Sequence, residues 1–319
     1  MQFFDADAVH GTLDYRSLVE ALRVGHRKGV DAMERLLMAQ PSRNGGSDHF
    51  LVLPGWQRNE ALGVKLVTVF PGNRSKDGPP AIQAAYVLFD GGSGTPVALI
   101  DGTAVTLRKT AADSALGADY LARPDAANLL MVGAGNQAPH QIMAHCAVRP
   151  SIEKVFVWNR TPANADRLSR WLHLDGVQIL VAEDLPHAVA SADVICCATM
   201  ATEPLIEGAW LKPGVHLDLV GGYTNEMREA DDEAVRRASV FVDSRWFTIG
   251  QCGDITGPLQ SGALAEDEIA ADLFDLCNGA HPGRRSRDEI TIFKNAGGAH
   301  LDLMTARFVY EMRDRRKPT

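Results

Sequence analysis

Leu129-Leu130-Met131-Val132-Gly133-Ala134-Gly135-Asn136-Gln137-Ala138 is the most informative segment of the 319-residue chain. It reads as a buried apolar strand, a G-x-G-x-x-A turn and the opening of a helix. Gly133 permits the tight turn. Gly135 lets the backbone approach a pyrophosphate with no side chain in the way. Ala138 stands where a third glycine is common and still allows close helix–sheet packing. The N-terminus of the helix, reached through Asn136 and Gln137, offers unpaired N–H groups and a partial positive charge to the phosphates. A glycine-rich structural turn would use the same letters. The context selects the dinucleotide reading: a strand before, a helix after, and a βαβ unit begun.

Working outward, strands and helices alternate downstream. Asn128–Val132 is followed by a helix over Pro139–Val148, a strand at Val155–Trp158 and a helix over Pro162–Leu172. Strands at Val177–Val181, Val194–Ala198, Val215–Val220 and Val240–Val242 continue the series, with helices over Leu185–Ala190 and Asp231–Ala238 between them. Such alternation implies right-handed crossovers and a doubly wound parallel sheet of the Rossmann type. Upstream the pattern is different. A helix over Tyr15–Lys28 precedes strands at Phe50–Leu53, Leu62–Phe70, Ile82–Phe89 and Pro96–Asp101, separated by Pro71-Gly72-Asn73, Gly78-Pro79-Pro80 and Gly91-Gly92-Ser93-Gly94. Strands joined by turns predict an antiparallel or mixed sheet. An alanine-rich helix follows from Thr106 to about Ala122. A final amphipathic helix from about Gly297 to Arg316 is expected to return to the first domain. The fold class is α/β, with a Rossmann domain over 119–296 inserted in an α+β domain made of 1–118 plus 297–319.

The second strand of the Rossmann series ends Trp158-Asn159-Arg160-Thr161, with no Asp or Glu to accept from a ribose 2′-hydroxyl. Arg160 can pair with a 2′-phosphate, with Asn159 and Thr161 adding hydrogen bonds, so NADPH is expected over NADH. A solvated surface arginine is the competing reading. Thr199 and Val220-Gly221 close the fourth and fifth strands, where ligands of open parallel sheets sit. Thr199 could equally cap a turn.

Composition narrows the functional classes. Hydrophobic residues make up 45% and charged residues 23%, ordinary for a globular chain, and the net charge of −8 gives nucleic acid or an anionic membrane no electrostatic hold. No signal peptide or membrane-length apolar run is evident. The five cysteines show no paired or zinc spacing, and the ten histidines show no metal motif. A cytoplasmic location and no metal are expected.

Several segments together resemble the ornithine cyclodeaminase/mu-crystallin family. They are Gly63-Val64-Lys65-Leu66-Val67, Leu88-Phe89-Asp90 with Gly94-Thr95-Pro96 and Asp101-Gly102, Thr110-Ala111-Ala112-Asp113-Ser114-Ala115, the Gly133–Ala138 turn, Trp158–Thr161, and Thr291-Ile292-Phe293-Lys294-Asn295 with Asp302 beyond. The resemblance runs in order through nearly the whole chain. It implies a homodimer in which the first and last segments form the substrate-binding and dimerisation domain. It also implies hydride transfer between a nicotinamide and a carbon that bears an amine or imine and a carboxylate. Arg43 and Lys65 would bind that carboxylate with Lys109 helping, Lys65 would donate the proton, and Lys109 and Asn295 would border the cofactor. Arg43 could also be a solvated loop arginine, and Lys65 could point outward from an amphipathic strand.

Two departures discriminate within the family. Tyr223 stands where cyclodeaminases carry a catalytic aspartate, and a phenol with an ordinary pKa near 10 is a poor substitute. This favours the subgroup similar to pyrroline-2-carboxylate reductases. Lys109, with Arg108 beside it, replaces an arginine and loses the paired donors. The expected reaction is NAD(P)H-dependent reduction of 1-pyrroline-2-carboxylate, or its six-membered homologue, to L-proline or L-pipecolate. The alternatives are an ornithine cyclodeaminase or amino-acid dehydrogenase, and a non-enzymatic crystallin-like binder that keeps NADPH.

Overall fold

A computed structural model describes residues 1–31, 33–42, 46–73 and 78–314. The chain begins with β1 (Gln2–Phe4), α1 (Ala6–Thr12) and α2 (Tyr15–Lys28), then β2 (Leu36–Pro41), β3 (Ser47–Gln57), β4 (Ala61–Val69), β5 (Ile82–Asp90) and β6 (Pro96–Asp101). After α3 (Gly102–Leu121) come β7 (Asn128–Val132), α4 (Ala138–Val148), β8 (Lys154–Trp158), α5 (Pro162–Trp171), β9 (Gln178–Val181), α6 (Leu185–Ser191), β10 (Val194–Cys197) and β11 (His216–Leu219). The chain continues through α7 (Asp232–Arg236), β12 (Ser239–Val242), α8 (Arg245–Thr248), α9 (Gly253–Ser261), β13 (Ile269–Asp272), α10 (Leu273–Asn278) and β14 (Thr291–Lys294), and ends in α11 (Ala299–Asp314). Two compact units result: Met1–Lys109 with Ala299–Thr319, and Thr110–Gly298.

The first unit holds a six-stranded sheet in the order β1-β6-β5-β4-β3-β2. Only β1 against β6 is parallel; every other pair is antiparallel. Helix α2 is started by the Asp14 carboxylate, which accepts from the Ser17 N–H at 2.8 Å, and stopped by Gly29 at φ +78°. Its buried stripe, Leu18, Val19, Leu22, Gly25 and His26, has helical spacing and packs on α11. A side chain on Gly25 would collide with Met304 of α11, so glycine sets that close approach.

In the second unit an eight-stranded parallel sheet runs β13-β12-β14-β11-β10-β7-β8-β9. Read from β9 and numbered in chain order from β7, this is 3-2-1-4-5-8-6-7: the doubly wound 3-2-1-4-5 arrangement, extended by β14 and then by β12 and β13. Both faces are covered, as a parallel sheet requires. Alternation along the strands builds two cores: Leu130, Val132, Ile195, Cys197, Leu217 and Leu219 on one side, and Leu129, Met131, Val155, Val157, Val194 and Cys196 on the other.

Several expectations need adjusting. The alanine-rich helix starts at Gly102 rather than Thr106, because the Asp101 carboxylate accepts from the Ala104 N–H at 2.8 Å and caps it earlier. The expected domain joints at 118/119 and 296/297 fall inside the second unit, whose ends are Thr110 and Gly298. Strand β3 runs through Pro54-Gly55, since β4 pairs with it along its whole length beyond Asp48. Strands β1, β2, β13 and β14 have no counterpart among the expected strands; β14 falls on the Thr291–Asn295 motif and lies between β11 and β12.

His26 and His300 lie edge to face in the first unit with ring centroids 5.4 Å apart, both buried. Burial lowers His26 to about 4 and His300 well below its usual value. An unfolded histidine takes up its proton near 6.5, so between 6.5 and 4 the unfolded chain binds a proton that native His26 refuses. This contribution is present above pH 6.5 and is lost as the pH falls toward 4. Going from pH 7 to 4.5, urea unfolding of His26→Phe should lose less stability than that of the parent chain, by on the order of 2–3 kcal/mol. An equal acid-side loss in both would refute the assignment.

Candidate active site

In the second unit the carboxyl ends of β7 and β8 and the start of α4 form the turn expected to receive a dinucleotide. Gly133 adopts φ +104°, and a Cβ there would lie 2.6 Å from the Ala198 carbonyl oxygen, so only glycine fits. Its N–H donates to the Trp158 carbonyl at 2.8 Å. Gly135 is exposed, has no positive φ, and a Cβ built there meets nothing within 4 Å. Its lack of a side chain therefore answers no demand of the protein's own packing. Ala138 is buried in the core and donates to the Gly135 carbonyl, and Pro139 follows in the first turn of α4. Asn136 is exposed and Gln137 sits at the N-cap, making no side-chain capping bond. An eleven-residue helix, entered through a turn with no Cβ at its lip, presents the positive end of its dipole and fits a pyrophosphate.

Asn159 has a role beyond the one expected of it. Its Oδ1 accepts from the Ala134 N–H at 3.1 Å, and its Nδ2 donates to the Thr161 carbonyl at 2.9 Å. It thus ties the glycine turn to the end of β8. Arg160 and Thr161 beside it are exposed. The Thr199 hydroxyl donates to Glu229 at 2.7 Å and accepts from the Ala201 N–H at 3.2 Å, so the turn-capping reading also holds. The Val220 and Gly221 amides both donate to the Cys197 carbonyl, at 2.8 and 3.3 Å. Asn295 is buried and uses its Nδ2 within the unit, donating to the Thr110 carbonyl at 2.9 Å and Ser114 Oγ at 3.0 Å.

Sequence reasoning missed a group beneath these strand ends. Glu229, Asp254 and Lys294 are fully buried. Lys294 Nζ donates to the Gly221 carbonyl at 2.6 Å and to Asp254 Oδ2 at 3.1 Å. Burial, and secondarily Asp254, push the Glu229 carboxyl up to about 8. The available signal was Lys294, a charge inside the apolar run Thr291–Phe293, which needs a partner. A second buried group brings donor atoms of His145, Cys196 and Asp218 within 4.8 Å. These residues come from α4, β10 and β11, so no sequence spacing announces them. The Asp218 carboxylate accepts from Ser114 Oγ at 3.1 Å and Cys196 Sγ at 3.2 Å, which satisfies it inside the sheet.

The first unit carries a separate charged centre. Lys65 projects from β4 and is 5% exposed. Its Nζ lies 2.7 Å from Asp302 Oδ2 on α11, and 3.5 Å from Thr106 Oγ1. Lys109 Nζ lies 3.4 Å from Asp302 Oδ1 and is 1% exposed. The outward-facing reading of Lys65 is therefore wrong. Buried Tyr86 adjoins Asp302; burial and that carboxylate raise its phenol well above 10, so it stays neutral. Arg108 turns elsewhere. It donates to the His10 carbonyl at 2.7 Å, and its guanidinium covers the Tyr15 ring at 4.7 Å. Lys109 is buried and reaches Asp302, whereas Arg108 is only partly buried. Arg43 falls outside the described residues.

The model of the ornithine cyclodeaminase/mu-crystallin family matches residues 8–317. The chain belongs to that family. Among family members it is 43% identical over 310 residues to the Delta(1)-pyrroline-2-carboxylate reductase of Paracoccus denitrificans, covering 97% of this chain and 96% of the relative. It is 36% identical to the ketimine reductase mu-crystallin of Rattus norvegicus, over 97% of this chain and 96% of that one. The Delta(1)-pyrroline-2-carboxylate reductase of Thermococcus litoralis, solved in complex with NADH and L-proline, superposes with a TM-score of 0.90 at 31% identity, over 99% of this chain and 98% of that one. Among the described residues, no helix is long and apolar enough to cross a membrane.

The two glycines of the turn separate folding from binding. Gly133→Ala should lower the melting temperature, since it adds a clash at positive φ. Gly135→Ala should melt within about 2 °C of the parent chain, because its Cβ enters open space, yet bind NADPH at least about tenfold more weakly by fluorescence titration. Unchanged affinity in Gly135→Ala would remove the pyrophosphate from this turn.

Proposed function

We propose that the chain is a nicotinamide-dependent oxidoreductase that reduces a cyclic ketimine carboxylate, 1-pyrroline-2-carboxylate or its six-membered homologue, to L-proline or L-pipecolate. The observation that carries this reading is the pair of buried ammoniums, Lys65 and Lys109, gathered at the Asp302 carboxylate. Two cations held in one place offer a substrate carboxylate charge-assisted donors.

The bound cofactor would supply a hydride to the imine carbon. The protein's part is to fix the carboxylate and protonate the nitrogen. Lys65 and Lys109 bind the carboxylate as point charges with rotatable donors. Asp302 keeps both ammoniums in place before substrate arrives, which avoids reorganisation during the reaction. Lys65 Nζ is the proposed proton donor; the protonated C=N becomes electrophilic, accepts the hydride and leaves as a secondary amine. Tyr223, half exposed, offers no carboxylate for cyclodeamination, which favours reduction. The names of two relatives support the same chemistry, since the Paracoccus and Thermococcus proteins are called pyrroline-2-carboxylate reductases.

The test is a panel of cyclic imino acids with NADPH and NADH, followed at 340 nm. The parent chain should oxidise cofactor with a five- or six-membered substrate. Lys65→Met should lower kcat/KM at least about a thousandfold while cofactor affinity stays within twofold. Near-parental turnover would sink the role of Lys65, and tight cofactor binding with no turnover on any substrate would favour a non-enzymatic binder. In the same assay Arg160→Ala should abolish a preference for NADPH, worth about 1–3 kcal/mol for a charge-assisted pair. An unchanged preference would mean that Arg160 is only a surface arginine.

We also propose a homodimer formed through the first unit. Leu36, Leu37 and Met38 of the edge strand β2 are all about half exposed. A bare apolar edge strand invites pairing unless it is covered. Leu37→Asp should convert a dimer to a monomer in sedimentation; a monomeric parent chain would overturn the proposal.

A further inference from the structure

The buried Glu229 carboxylate holds two separate strand ends at once. Oε1 accepts from both the N–H and the hydroxyl of Thr199, each at 2.7 Å, and Oε2 accepts from the Gly221 N–H at 2.7 Å. Thr199 follows β10 and Gly221 follows β11, adjacent strands at the carboxyl edge of the parallel sheet. Glu229 is itself held, since its own N–H donates to Asp254 Oδ1 at 2.7 Å. Lys294 Nζ bonds the other Asp254 oxygen and the Gly221 carbonyl. The Gly221 peptide is thus gripped on both sides, its N–H by Glu229 and its carbonyl by Lys294. No Cβ fits there: it would overlap the Glu229 carboxyl and lie 2.5 Å from the Thr199 carbonyl oxygen.

Burying three ionisable groups for packing alone is unfavourable; apolar residues would do that better. What these polar groups provide is rigidity and direction at two backbone segments that no regular element holds. The glycine turn and α4 accept the pyrophosphate, and the strand order places the far half of the dinucleotide along β10 and β11. We infer that Glu229 is a positioning residue for the nicotinamide half of the cofactor, acting by fixing the Thr199 and Gly221 backbones from beneath. The inference rests on the nicotinamide reading but not on the identity of the imine, so binding alone can test it.

Two ligands separate the halves of the cleft: intact NADPH, and 2′-phospho-ADP-ribose, which lacks the nicotinamide. Glu229→Gln keeps one oxygen for Thr199 but presents an NH2 to the Gly221 N–H, donor against donor. Its NADPH dissociation constant should rise about tenfold, while that for 2′-phospho-ADP-ribose stays within about twofold of the parent. Equal weakening of both ligands would show a merely structural role, and no weakening of either would remove any role; both overturn the inference. If Glu229→Gln does not fold, Thr199→Ala, which deletes one donor at the surface of the network, should show the same split at about threefold. Failure of imine reduction in the parent chain would leave these titrations unaffected, so the two readings fail separately.

Discussion

The first unit depends on one carboxylate. Asp302 enters on the last helix, 237 positions after Lys65 and 193 after Lys109, and brings both ammoniums together in a place almost without solvent. Without it, two like charges would lie buried side by side, at a cost of several kcal/mol. With it, the pair persists.

The second unit solves a similar problem differently. Glu229, Asp254 and Lys294 form a closed arrangement in which nearly every polar atom is answered by backbone or by another member. Each unit therefore spends buried charge in one place. In the first they gather two ammoniums at one carboxylate. In the second they organise main-chain groups at the ends of strands, and the proposed effect on the cofactor is indirect.

Much of this was legible in the amino-acid order because the deciding signals are local. From Asn128 to Cys197, alternating apolar strands and helices opened by Pro139, Pro162 and Asp184 place each element within about two residues. Gly133 could be read because its positive φ is a local demand of the turn. Position in the sheet was not legible: Thr291–Lys294 is too short to show a period, and its neighbours lie far away in sequence. The same holds for Glu229, whose importance comes from Thr199, Gly221 and Asp254. The choice between Arg108 and Lys109 was not legible as helical phase, because every position from Lys109 to Ala118 is buried and the periodicity singles out neither residue.

The placement of β14 has a consequence for synthesis. The strand inserts between β11 and β12, which leave the ribosome about 75 and about 50 residues earlier. Until Lys294 has emerged, those two strands cannot pair with their final neighbour, and each presents a bare hydrogen-bonding edge. The half-made sheet is thus open along its middle rather than at its rim. Interrupted translation would release a chain prone to stick to its own kind at that gap, and a chaperone that shields extended apolar segments would be most useful during that interval.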